Sequence, residues 1–121
     1  MHYSASLTVA AATPALTPVT TNLVLPAGIL KHIDINFPKG CARMTFIVLY
    51  DGATLLYPKT AGASYCEDGY VVQINTFQIF DAAKTLTVKG WAPLTSYQHV
   101  VTVTAEVDTV EETAMRGTGY Y

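Results

Sequence analysis

The chain has 121 residues; half are hydrophobic and only 13% are charged, against about 25% in an ordinary soluble domain. The formal net charge of -2 comes entirely from residues after Val107, which leave six acidic and six basic residues in the body. This length suits one domain with one core, the apolar content excludes wholesale disorder, and the lack of a basic patch argues against direct binding of nucleic acid.

The first thirty residues contain no Lys, Arg, Asp or Glu. Exposed surfaces normally carry about 25–35% charged residues, so much of this N-terminal arm is expected to be covered by something other than water. Seventeen threonines supply much of the polarity instead. A neutral body tends to associate, which points to an assembly subunit rather than a freely diffusing catalyst. No apolar run reaches the ~20 residues of a membrane span, and the N-terminus lacks the basic and continuous apolar regions of a secretory leader. The expectation is a protein made and folded in a cytoplasm, with no membrane partner.

Period-2 alternation recurs along the chain, and no stretch carries a helical period. Tyr3, Ala5, Leu7 and Val9 alternate with Ser4, Ser6 and Thr8. After a linker marked by Pro14 and Pro18, a strand is expected over residues 19–25. Next, Ile29, Ile33, Ile35 and Phe37 are read as one face, opposite His32, Asp34 and Asn36. Residues 44–50 are apolar on both alternate sets, so this strand is either covered on both sides or offers one face to a neighbour. Asp51-Gly52 then predicts a type I′ hairpin returning through residues 53–57. Asp68-Gly69 opens a strand over residues 70–75, in which Tyr70, Val72 and Ile74 oppose Gln73 and Asn75. Leu86 and Val88 oppose Thr85, Thr87 and Lys89; Val101, Val103, Ala105 and Val107 oppose Thr102, Thr104 and Glu106. Threonine suits these faces because its β-branch fits the pleat.

The expected fold is all-β, an antiparallel β-sandwich or jelly roll of about eight strands. Residues 1–107 form the domain, including its uncharged N-terminal arm, and residues 108–121 lose the alternation and read as a C-terminal tail.

The sequence offers little catalytic chemistry. There is no GxSxG, and neither Cys41 nor Cys66 has a base at a recognisable spacing, so the chain is read as a non-enzyme without cofactor or metal. The two cysteines read as small apolar residues, and their spacing does not decide whether they pair. Glu67-Asp68 lacks the calcium-loop pattern, and Asp68 is accounted for by its turn. His32 and His99 have no second histidine at ligand spacing and read as hydrogen-bonding surface residues. Trp91 is the most informative aromatic. With Tyr97 it would form a stacking platform for a sugar ring, or it would cap one end of the core as large aromatics usually do. Tyr120 and Tyr121, outside any core pattern, are interface candidates, because Tyr serves contact surfaces well.

The segment Ala27-Gly28-Ile29, through Ile33-Asp34-Ile35-Asn36-Phe37 to Pro38-Lys39-Gly40-Cys41-Ala42, resembles small β-sandwich virion proteins of tailed bacteriophages. Tyr57-Pro58, Gly90-Trp91 and Tyr97-Gln98-His99 extend the resemblance, which covers residues 3–107 and leaves the tail outside. The motifs are strand and turn punctuation and bring no catalytic residues with them. The resemblance implies a jelly-roll-like component of a virion, made in the host bacterial cytoplasm. Its expected role is capsid decoration by a closed homo-oligomer such as a trimer, bound to the major capsid or other virion proteins. A neck or tail ring component is one alternative; a carbohydrate-binding module or fibre-like receptor-binding domain is the other. The expected contact surfaces are the arm, the Ile47/Leu49 face, and the tail residues Met115, Tyr120 and Tyr121.

Overall fold

A computed structural model describes residues 2–41, 43–59 and 62–109. Eight strands are present among them: β1 (His2–Val9), β2 (Val19–Leu25), β3 (Gly28–Phe37), β4 (Phe46–Asp51), β5 (Thr54–Tyr57), β6 (Tyr70–Phe80), β7 (Lys84–Trp91) and β8 (His99–Thr109). They form two four-stranded antiparallel sheets, in the orders β1-β8-β3-β6 and β2-β7-β4-β5.

The topology follows from four nested pairings. Strand β4 pairs β5, β3 pairs β6, β2 pairs β7 and β1 pairs β8. A long hairpin with that nesting, rolled so that β8 also meets β3 and β7 also meets β4, is a jelly roll. Every connection except the β4–β5 hairpin changes sheet, so the chain is drawn around a single core. The uncharged arm belongs to its own sandwich: all eight residues of β1 pair with β8.

Strand alternation supplies the core. Leu7, Val9, Leu30, Ile33, Ile35, Phe37, Val101, Val103, Ala105 and Val107 come from the first sheet; Leu23, Leu25, Ile47, Leu49, Leu86 and Val88 come from the second. On the side where β1 lies over β2, Gly90 of β7 leaves no room for a side chain. A Cβ there would meet Leu7 Cδ2, Ile47 Cδ1 and Val9 Cγ2 at 2.7, 2.9 and 3.0 Å. On the opposite side, Tyr57 Oη of β5 and Thr76 Oγ1 of β6 lie 2.5 Å apart and tie the two sheets together.

Four details depart from the sequence reading. Ile29 does not share a face with Ile33. One extra residue in β3 relative to β8, at Lys31, shifts the register, so Leu30 turns inward and Ile29 outward. The β3–β6 ladder shifts at the same level, lengthening the sheet progressively toward β6. The hairpin turns on Gly52 and Ala53, closed by Asp51 and Thr54. Of these central residues only Gly52 has positive φ, the signature of type II′ rather than I′. Strand β6 runs five residues beyond Asn75, and β8 continues through Thr109.

Candidate functional site

Ile47 and Leu49 were expected to face a partner; both are fully buried in the core. The opposite set of β4, Phe46, Val48 and Tyr50, faces outward. Both sets are apolar because both sides are covered: the core takes one, and a groove with flanking loops takes the other. Met115, Tyr120 and Tyr121 lie outside the described residues.

That groove, about 410 Å³, sits on the outer face of the second sheet; Val48, Tyr50, Lys89 and Trp91 face it, with Leu16 at its rim and Leu55 contributed by β5. Trp91 leaves the core because Gly90 occupies the inward position of β7 and alternation then turns the indole out. It stacks on Phe46 across β4, with ring centroids 5.9 Å apart and planes 20° from parallel. Lys89 places its ammonium 4.3 Å from the centroid of the Tyr50 ring, a cation–π contact. Tyr97 is elsewhere, exposed in the β7–β8 connection beside a smaller hollow of about 180 Å³ that Met44, Leu94 and His99 also line. The two aromatics expected to share one platform therefore lie on separate surfaces. Among the described lining residues of the Trp91 groove there is no carboxylate or carboxamide to pair with sugar hydroxyls.

The outer face of the first sheet carries the main polar cluster. His32 Nδ1 lies 2.7 Å from Asn75 Oδ1 on β6, and its Nε2 lies 2.6 Å from Asp34 Oδ1. Two oxygens facing one ring favour the doubly protonated imidazole. The hydrogen bond that His32 Nδ1–H donates to Asn75 Oδ1 contributes most to raising its pKa above the ordinary 6.5, aided by Asp34 and the charge of Glu106, while partial burial opposes the rise. Lys31, at the register shift, reaches Asp108 at 2.7 Å.

The remaining sequence candidates have structural partners. Asp68 accepts a hydrogen bond from the Gly40 amide at 2.8 Å, and Glu67 faces Arg43 at 3.6 Å. Cys41 is buried, Cys66 is half-buried, and they are not bonded to each other. Burial pushes the Cys41 thiol up, which suppresses its thiolate and hence its reactivity. Among the described residues no group of three or more His, Cys, Asp or Glu converges at metal-ligand geometry.

The feature that sequence reading missed is the distribution of charge over the topology. The four edge strands, β1, β2, β5 and β6, contain no Lys, Arg, Asp or Glu. Every such residue within a strand lies on an inner one: Lys31 and Asp34 on β3, Asp51 on β4, Lys84 and Lys89 on β7, Glu106 and Asp108 on β8. Monomeric sheet proteins ordinarily do the reverse and place charge on the edge to block strand addition. Strand β6 adds exposed apolar side chains, with Phe77 67% and Ile79 60% accessible.

Comparison with known proteins yields no matching family model and no matching curated sequence. Among solved structures, the crystal structure of FlhE is similar at 9% identity and a TM-score of 0.47, over 87% of this chain and 94% of that one. An exo-β-1,3-galactanase from Phanerochaete chrysosporium, solved with galactose, is similar at 9% identity and a TM-score of 0.32, over 88% of this chain and 27% of that one.

Proposed function

We propose that the chain is a structural subunit that acts by burying surface in an assembly, and specifically a capsid-decoration protein of a tailed-phage virion. The observation that carries the assembly reading is the absence of charge from all four edge strands. An unprotected edge presents unpaired N–H and C=O groups that template pairing with another chain; covering it removes both the exposed backbone and the apolar side chains beside it. The virion setting rests on the sequence resemblance and agrees with the jelly roll's frequent use in viral capsids. The role requires no reaction. A standard interface buries about 1,600 Å² in total, and clamps of that size across neighbouring coat subunits resist a shell's separation under internal pressure.

The test combines light scattering behind size exclusion on the purified full chain with mass spectrometry and immunogold labelling of particles from cells that make it. The expected result is a discrete oligomer in solution and a fixed copy ratio on the particle. Label on the shell supports decoration, whereas label confined to the neck or tail moves the protein to a ring component. A monomer at every concentration, absent from particles, overturns the proposal.

A further inference from the structure

We infer that β6 is the self-association edge, adding across a two-fold axis to β6 of a second copy so that the first sheets of two protomers form one eight-stranded sheet. This inference rests on the assembly reading above and names its partner and register.

Strand β6 is one of the two longest strands and bounds the first sheet. Its sequence, Tyr-Val-Val-Gln-Ile-Asn-Thr-Phe-Gln-Ile-Phe, sets apolar residues against apolar ones at both ends when two copies are laid antiparallel about Asn75. Antiparallel pairing centred there sets Tyr70 against Phe80 of the second copy, Val71 against Ile79, Gln73 against Phe77, and Asn75 against itself. Residues 71, 73, 75, 77 and 79 are all exposed, while those between them from 72 to 78 are half-buried. The outward row is therefore unbroken through the level at which the β3–β6 register shifts. Each outward residue meets an outward residue, as strand parity requires, and no charge must be desolvated. Aliphatic and aromatic cross-strand pairs are those that stabilise antiparallel ladders.

The strip is large enough. Eleven residues at about 3.3 Å each span about 36 Å. Strand β6 gives one layer ~10 Å deep, ~360 Å², and the four residues of β5, ~13 Å long, add ~130 Å² of the second layer. The resulting ~500 Å² per protomer, ~1,000 Å² in total, reaches the lower bound of a specific interface. The other free edge of this sheet, β1, presents His2, Ser4, Ser6 and Thr8 outward, a polar row with no apolar residue to set against Val71 or Ile79.

Cysteine trapping tests the register in the full chain carrying Cys66→Ser, with Cys41 left buried. In the proposed pair residue 71 meets residue 79 of the second copy, whereas residue 71 lies about 26 Å from its own counterpart, eight residues along at ~3.3 Å each. A disulfide needs Cα atoms within about 7 Å. The expected result is covalent dimer from Val71→Cys/Ile79→Cys, and from an equimolar mixture of the two single variants, but not from either single variant alone. Phe77→Lys, at an exposed position, should weaken association at least tenfold, with a melting temperature equal to wild type at dilutions where both are monomeric. Cross-linking by either single variant alone, or no cross-link in the double, overturns the register. Trapping of Ser6→Cys against a β6 cysteine, giving rings or chains, overturns it in favour of head-to-tail addition through β1. If the wild-type oligomer persists in Phe77→Lys and no cross-link forms, this edge assignment falls while the assembly reading stands; a wild-type monomer defeats both.

Discussion

Gly90→Ala is the most informative single perturbation of the fold, because a side chain at Gly90 would meet core residues of both sheets. The added Cβ would lie 2.7 Å from Leu7 Cδ2, 2.9 Å from Ile47 Cδ1 and 3.0 Å from Val9 Cγ2. Carbon atoms pack best at about 3.5–4.0 Å, so three side chains must retreat within a core where all are buried. Overpacking of this kind costs about 1–3 kcal/mol. Reduced freedom of the unfolded chain returns about 0.4–1 kcal/mol, which leaves a net loss of roughly 0–2.6 kcal/mol by difference. The sign is decided by number: one flexible terminus could swing aside, but room is needed from three at once.

The mechanism makes a sharper demand on the double variant. Ile47→Val deletes Cδ1, the atom 2.9 Å from the new carbon. In the wild type that deletion costs about 0.5–1.5 kcal/mol; in the Gly90→Ala background it should cost less or stabilise, because the space is then needed. Coupling between touching residues runs about 0.5–3 kcal/mol. Urea denaturation of the wild type, both single variants and the double, analysed as a cycle, measures it. Strict additivity would refute the packing argument, since it would mean that Ile47 does not limit the space at Gly90.

Three further outcomes are expected. Leu49→Ala should destabilise by about 2–5 kcal/mol without altering assembly at matched folded fraction; a stable variant that fails to assemble would return Leu49 to an interface. Gly28→Ala should lower expression or melting temperature severely, because φ is +150° and its Cβ would lie 2.2 Å from the Asp108 carbonyl oxygen; a thermal melt within a degree or two of wild type would refute this. The raised pKa of His32 means that the folded state binds its proton more tightly than the unfolded state. The contribution is therefore fully present below the ordinary pKa and lost as pH rises through the higher folded value; urea midpoints at pH 5.5 and 8 should show this fall, and His32→Gln should abolish that component.

The sequence disclosed the strands well and their neighbours poorly. Period 2 in β1, β7 and β8 was legible because each has one apolar and one largely polar set. The shift at Lys31 was hidden because Ile29 and Ile33 already satisfy the period, and only the pairing of β3 with β8 shows that Leu30 points inward. Strand β6 seemed to stop at Asn75 because Phe77 and Ile79 occupy positions where a solvated face would be polar; those same residues are what make the strand unusual. In β4 both sets are apolar, so parity had no local signal. It is set by Ile47 pairing with Gly90, where the missing side chain makes room for the isoleucine. The candidate surface was least legible of all, since an edge is a property of nested pairings between residues as far apart as His2 and Glu106.

The division of charge also favours one direction of association over others. Within the strands, the charged residues lie on β3 and β8 in the first sheet and on β4 and β7 in the second. Stacking two copies face to face would bring those charges into a desolvated layer, where an imperfectly paired ion costs several kcal/mol. Edge-to-edge addition leaves them in water and covers only backbone, amide and hydrocarbon groups, with the edge backbone N–H and C=O groups pairing across the new ladder. The same distribution that would make an isolated sandwich prone to strand addition therefore directs two copies to join side by side into a layer one sandwich thick, a geometry that suits the proposed role on a shell.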